Sequence, residues 1–233
     1  MISTIVLTWN SEKYIEHCLK SLFTDLQTLK ENYEVFVVDN GSTDNTLSIL
    51  DIMKYEYPNL KAIKLDTNKG TTVSRNIGIK GSSGKYIFVL DSDAEILPGT
   101  LDCLVKYIDN GEKIGIVAPR LIYSDGSVQP SCKRFPTIKT KLCKFLPFKK
   151  TQRIAEEDEL YDSEVYDKKF NQSVYVDHCI SAAWMVNKKA IEDVGLLDEN
   201  IFYSPEDVDF RLRMRSKGWK VVYNPLATVI HHT

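Results

Sequence analysis

The sequence predicts an α/β domain: a mostly parallel central sheet flanked by helices, with a small additional β-structure and a lid-like insertion. Three observations lead there. Short, continuous, β-branched runs recur through residues 1–120, as strands buried on both faces require. Segments of helical period separate them, the alternation that builds a parallel sheet. Residues 121–178 lose that regularity, and it returns over 179–233. The chain therefore reads as one domain with a first half, an insertion and a second half.

"ISTIVLT" (Ile2–Thr8) is the first strand, and Ser11 is placed to cap a helix carrying Ile15, Cys18, Leu19 and Leu22 on one face. "YEVFVVD" (Tyr33–Asp39) is the second strand. "NGSTDNT" is a turn into a helix over about residues 43–54. "LKAIKL" is the third strand. "NKGTTVSRNIGIKGSSG" reads as a loop, a short helix and a turn, and "KYIFVLD" as the fourth strand. A helix in "LPGTLDCLVKYI", a strand in "IGIVAP" and a hairpin turn in "YSDGSVQ" follow. After the insertion come a strand in "ISAAWMVN", a helix in "KKAIEDVG", a longer helix in "SPEDVDFRLRMRSKG" and two strands, "WKVVYNP" and "ATVIHH".

Composition narrows the function. A net charge of −2 over 233 residues gives no field for a nucleic-acid partner. Five scattered cysteines without a CxxC pair suggest neither a disulfide frame nor a zinc cluster, and fit a reducing, cytoplasmic compartment. "MISTIVLTWN" lacks the basic start and apolar length of a secretory signal, and no apolar run is long enough to span a bilayer. Within the insertion, residues 133–153 are basic and interleaved with Phe135, Leu142, Phe145, Leu146 and Phe148. Two readings stay open there: a lid packed on the domain, or a surface for the inner face of a membrane.

Open α/β sheets bind ligands beyond the carboxyl ends of their strands. Thr8, Asn10, Asp39 and Asp91 fall at such ends. In "YIFVLDSDAEILPG" the acids Asp91 and Asp93 stand two apart, so they share a direction and repel unless a cation or proton intervenes. An oxygen pair of that kind suits Mg²⁺ or Mn²⁺. A polar turn is the plainer alternative, and an aspartyl nucleophile with its acid, as in a phosphatase, is a third. In "SPEDVDF", Ser204 and Pro205 suit a helix start, with Glu206 and Asp207 favouring its dipole. The pair His231-His232 ends the last strand, and imidazole is a common metal ligand.

Five blocks, taken in order, resemble the inverting glycosyltransferases of family 2, which have the GT-A fold, and most nearly their rhamnosyltransferase-like branch. They are "IVLTWNSEKYIEHCLKSL", "VFVVDNGSTDNT", "NKGTTVSRNIGIKGSSGKYIFVLDSDAEILPG", "SAAWMVNKKAIEDVGLLDE" and "SPEDVDFRLRMRSKGWKVVYNPLATVIHH". The resemblance implies that Thr8, Asn10 and Glu12 meet a nucleotide, that Asp39 bonds its base, and that Asn68, Gly70 and Arg75 form a loop closing over it. It puts Asp91 near the ribose and metal, and Asp93 as main ligand of Mg²⁺ or Mn²⁺, with His231 or His232 beside it. Ser92, spacing the acids, and Trp184 join the donor side, while Ser181 stands where many relatives have glycine. Glu206 and Asp207 become the catalytic pair, with Asp207 as base. The implied donor is a UDP- or dTDP-sugar, and the acceptor a glycan or a lipid-linked hydroxyl. A nucleotide-sugar-binding module with little catalysis of its own is the rival from another class.

Overall fold

The computed structural model of the chain describes residues 1–110 and 113–232. Its centre is a nine-stranded sheet. β1 (Ile2–Thr8), β2 (Tyr33–Asp39), β3 (Leu60–Lys64) and β4 (Tyr86–Asp91) lie in the order β3-β2-β1-β4 and run parallel. The crossovers between them carry α1 (Ile15–Leu26), α2 (Thr46–Glu56) and α3 (Gly70–Gly81). Past β4 the sheet is mixed. β10 (Ala183–Asn187) lies antiparallel between β4 and β6 (Ile114–Ile122), β11 (Lys220–His231) runs parallel to β6, and β5 (Ala94–Ile96) pairs antiparallel with β11 at the edge. In the insertion, β7 (Cys132–Lys133) and β9 (His178–Cys179) form a two-stranded ladder, and β8 (Val174–Val176) joins β11. Five further helices are α4 (Thr100–Asn110), α5 (Ile138–Phe145), α6 (Lys149–Glu159), α7 (Lys188–Val194) and α8 (Glu206–Ser216).

Alternation along the strands sorts side chains to two faces. Ile2, Val6, Phe88 and Leu90 face a cluster with Leu19 and Leu22 of α1, Leu50 of α2, and Leu101 and Leu104 of α4. Ile5, Ile87 and Val89 face the other cluster, with Ile79 of α3, Ile191 of α7, and Phe210 and Met214 of α8. Burial of such a side chain contributes roughly 1.5–3 kcal/mol, whereas an exposed ion pair contributes about 0–1 kcal/mol. The sheet's two apolar faces therefore set the stability.

Several elements differ from the sequence reading for identifiable reasons. Ser11 does not cap α1. Its hydroxyl bonds Ser92 Oγ at 2.7 Å, and the helix starts at Ile15 without a side-chain cap. α2 starts at Thr46 because the preceding turn is engaged elsewhere: Thr43 N donates to Asn10 Oδ1 and Asn45 N to Glu12 Oε2. "NKGTTVSRNIGIKGSSG" holds a full helix of 12 residues. Its small residues, poor helix formers, are there for close approach: a Cβ at Gly78 would lie 2.5 Å from Ile5 Cγ2. The two expected terminal strands are one strand, β11, whose register shifts between Asn224 and Thr228, around a proline that cannot donate to the ladder. Ser204 is not the cap of α8, which begins at Glu206 after a cis Ser204–Pro205 bond.

Glu34 ties β2 to its surroundings. Its carboxylate accepts from Ser3 Oγ, from the Ser83 amide and hydroxyl, and from Lys61 Nζ. Burial alone would raise its pKa, but these donors outweigh it and hold the group at about 2 against an ordinary 4.5. A depressed carboxylate stabilises the fold fully above its unfolded pKa and loses that contribution as pH falls toward the folded value. Glu34→Gln is therefore expected to lower stability at neutral pH by about 1–3 kcal/mol. The gap from wild type should close below pH 4.5 and vanish near pH 2, as followed by denaturant melts across that range.

Candidate active site

The carboxyl ends of β1 and β4 meet the first turns of α3 and α8 around a cleft of about 380 Å³, lined by Trp9, Asn10, Arg75, Asp91, Ser92, Asp93, Tyr203 and Glu206 among others. Arg75 organises it. Only 2% exposed, its guanidinium donates to Asp91 Oδ1 at 2.8 Å, to Glu206 Oε1 at 3.0 Å and to Ser181 Oγ at 3.1 Å. A buried guanidinium demands such partners, and its planar fork can serve two carboxylates at once. Burial raises the Asp91 pKa, Arg75 opposes that shift, and Asp93 adds to it. With one guanidinium among Asp91, Glu206 and Asp93, the cleft stays negative, an environment that favours a bound cation.

β4 ends at Asp91, Ser92 and Asp93 form a turn, and β5 begins at Ala94. Ser92 lines the cleft and also braces the turn: its amide donates to Leu7 O at 3.1 Å and its hydroxyl meets Ser11. Asp93 faces His231, with Nε2 3.6 Å from Oδ1. The other ring nitrogen, Nδ1, lies 3.0 Å from Gln129 Oε1, which can only accept. With Nδ1 donating to that oxygen, the neutral imidazole offers its Nε2 lone pair on the side of Asp93, so the two side chains can share a cation. A histidine whose outer N–H is held by an amide oxygen is the usual metal-ligating pattern. Among the described residues no three His, Cys, Asp or Glu side chains form a cage. One carboxylate and one imidazole, with water and phosphate oxygens to fill the shell, fit a divalent ion such as Mn²⁺, and Mg²⁺ through the carboxylate.

His232 lies elsewhere. Its Nε2 is 2.7 Å from Glu95 Oε1, its Nδ1 2.8 Å from Ser124 Oγ, and its ring stacks on Tyr14. Both nitrogens are occupied, so of the two expected histidines only His231 faces Asp93. Asp91, expected as a second ligand, has Oδ1 committed to Arg75.

Other expected residues separate into groups. Asn10 lines the cleft in a left-handed conformation (φ 50°), with Oδ1 accepting from Thr43 N. Thr8 and Asp39, paired in register, are about 1% exposed. Thr8 Oγ1 and Asp39 Oδ1 are buried without partners, while Asp39 Oδ2 accepts from Ser42 N. Glu12 is turned from the cleft: its Oε2 accepts from both the amide and the side chain of Asn45, ahead of α2. Asn68, Gly70 and Arg75 do not make a closing loop. Asn68 Oδ1 accepts from Gly70 N, and Gly70 opens α3 at φ 84° where a Cβ would lie 2.4 Å from Phe202 O. That contact, with Thr71 N donating to Phe202 O, binds the segment before α8 to α3.

Trp184 is a correction: it is 1% exposed inside the sheet's second core cluster and lines neither the cleft nor the cavity beside Asp207. Its ring is a platform for Arg211, whose guanidinium carbon lies 4.2 Å above it. Arg211 in turn reaches Asp207, with Nη1 3.4 Å from Oδ2. Glu206 is buried on Arg75, whereas Asp207 lines a neighbouring cavity of about 150 Å³ that shares Ser181, Tyr203 and Glu206 with the cleft. Trp9 and Tyr203, 53% and 70% exposed beside the cleft, were not singled out from the sequence, nor was Gln129. An exposed aromatic next to Asn10 and another just before "SPED" were the available signals.

The fold is the GT-A fold of glycosyltransferases. The profile of glycosyl transferase family 2 matches residues 3–195, and the chain belongs to that family of glycosyltransferases. It is 28% identical to the N-acetylglucosaminyl-diphospho-decaprenol L-rhamnosyltransferase of Mycobacterium tuberculosis, over all of this chain and 76% of that protein. Two solved structures share the fold. GalNAc-T7 with UDP, GalNAc and Mn²⁺ has a TM-score of 0.74 at 15% identity, over all of this chain and 44% of that one. Staphylococcus aureus TarS 1–349 in complex with UDP has a TM-score of 0.67 at 23% identity, over all of this chain and 60% of that one. This membership sets the phosphatase alternative aside.

Removing the guanidinium strands the buried Glu206 and the partly buried Asp91. Arg75→Met should destabilise the fold by about 3–5 kcal/mol, and Arg75→Lys should recover only part of that because one ammonium cannot fork to both carboxylates. Thermal melts of the two variants against wild type check the order.

Proposed function

We propose that the chain is a metal-dependent, inverting glycosyltransferase that moves a sugar from a UDP- or dTDP-sugar to a hydroxyl of a glycan or lipid-linked acceptor. One observation carries this reading. Arg75 joins Asp91, at the end of β4, to Glu206, in the first turn of α8. The acid corner and the helix bearing Asp207 are thereby fixed across one cleft. Residues 1–120 would serve the nucleotide, 179–233 would supply the base and the metal-side histidine, and 121–178 would form the lid between them.

Asp39 is the candidate for the base edge of the nucleotide. Its Oδ1, buried without a partner, carries a desolvation penalty of about 1–3 kcal/mol that a pyrimidine N–H would relieve. Asp93 and His231 would hold Mg²⁺ or Mn²⁺, whose positive charge, when bound, stabilises the diphosphate as it leaves. Asp207 takes the proton from the acceptor hydroxyl. The acceptor oxygen forms its bond to the anomeric carbon as the bond to the diphosphate oxygen breaks, and attack from the opposite side inverts configuration. Arg211, braced on Trp184, keeps the Asp207 carboxylate turned toward the cavity it shares with Ser181 and Tyr203. Glu206, whose Oε1 accepts from Arg75 and Thr71, positions the helix instead of moving a proton.

Asp207→Asn should bind the donor like wild type and lose transfer by about 10²–10⁴-fold; transfer at the wild-type rate would remove Asp207 as base. In a thermal-shift screen of nucleotide-diphosphate sugars, stabilisation should require a pyrimidine donor and grow with Mn²⁺. His231→Ala should abolish the Mn²⁺ increment and His232→Ala should keep it. Donor binding without transfer by the wild-type chain would leave a binding module.

A further inference from the structure

We infer that the α5–α6 hairpin docks the protein on an anionic lipid bilayer. The hairpin is built inside out. Its two helices pack on each other and bury Thr140 and Ala155, at 4% and 0% exposure. The large apolar side chains point outward: Ile138, Leu142 and Phe145, exposed by 82%, 62% and 90%, recur at i, i+4 and i+7 and so share one face of α5. Leu146 and Phe148, also exposed, extend that face through the turn between the helices. A water-facing helix of this size places such residues inward, and a contiguous exposed apolar patch marks an interaction surface.

Charge selects the partner. Lys141, Lys149 and Lys150 flank the apolar tip, are exposed, and form no ion pair among the described residues. The acids Glu156, Glu157 and Asp158 lie at the far end of α6, an 11-residue helix about 16 Å long. Lysines around an apolar tip, with acids held back at the base, match a negatively charged headgroup layer over an acyl interior. The base is anchored next to the cleft. Arg134 N donates to Glu159 O, Cys132 pairs with Cys179, and two residues beyond β9 the chain reaches Ser181, which lines both cavities. Docking would therefore set the acceptor side of the site near the bilayer, a purpose that rests on the proposed lipid-linked acceptor.

The test is co-sedimentation with phosphatidylglycerol–phosphatidylcholine vesicles and with pure phosphatidylcholine vesicles. Wild type should pellet with the anionic vesicles and release in high salt. Leu142→Ser/Phe145→Ser and Lys149→Glu/Lys150→Glu should each weaken binding by at least about tenfold, while both retain wild-type stabilisation by the donor. No binding to anionic vesicles by wild type, undiminished binding by the variants, or a wild-type dimer that the serine variant dissolves, would overturn the inference. Vesicle binding that survives when no nucleotide-sugar stabilises the protein would instead count against the proposed function and leave the docking surface standing.

Discussion

One buried arginine sets the terms for the site. A guanidinium removed from water needs its charge balanced on the spot, and Arg75, although its Nε has no partner, is balanced through both terminal nitrogens by acids from two distant parts of the chain. Neither acid is free to adopt another position without stranding the charge. That constraint explains the neighbouring features. Gly70 lets the Phe202 carbonyl approach α3, Thr71 bonds that carbonyl, and Trp184 supports Arg211 on α8. The cleft is thus rigid where its acids sit and lined with exposed aromatics where a ligand would enter.

Environment alone divides two adjacent acids. Glu206 and Asp207 are consecutive in a helix, so their side chains leave the axis about 100° apart. One enters the buried arginine cluster, and the other faces the smaller cavity beside the cleft. The same logic separates Asp91, absorbed into the arginine pair, from Asp93, which stays open to the cleft beside His231.

The strands and their polar ends were legible because buried parallel strands are unbroken apolar runs and a polar residue at the end of one is conspicuous. Other features lacked such a signal. α3 was underestimated because its glycines and threonines have poor helix propensity, although they permit close packing on β1. Trp184 was misplaced because a strand buried on both faces gives no pattern to say which side meets ligand. The choice between His231 and His232 depends on alternation, which sends neighbours to opposite faces. Only the pairing of His231 with Ala94 fixes which of them meets Asp93. Ser11 and Ser204 satisfied the composition of helix caps, but tertiary hydrogen bonds and the backbone at Pro205 took them elsewhere.

The long strand β11 has a temporal consequence. It is the last strand described, and its pairing with β5 joins residue 231 to residue 94 across most of the chain. Closing a contact of such sequence separation is slow relative to the local pairings among β1 to β4. On a ribosome, the parallel half can emerge and condense while Asp93 still lacks its imidazole neighbour. An unfinished chain would hold the parallel half of the sheet without the Asp93–His231 pair.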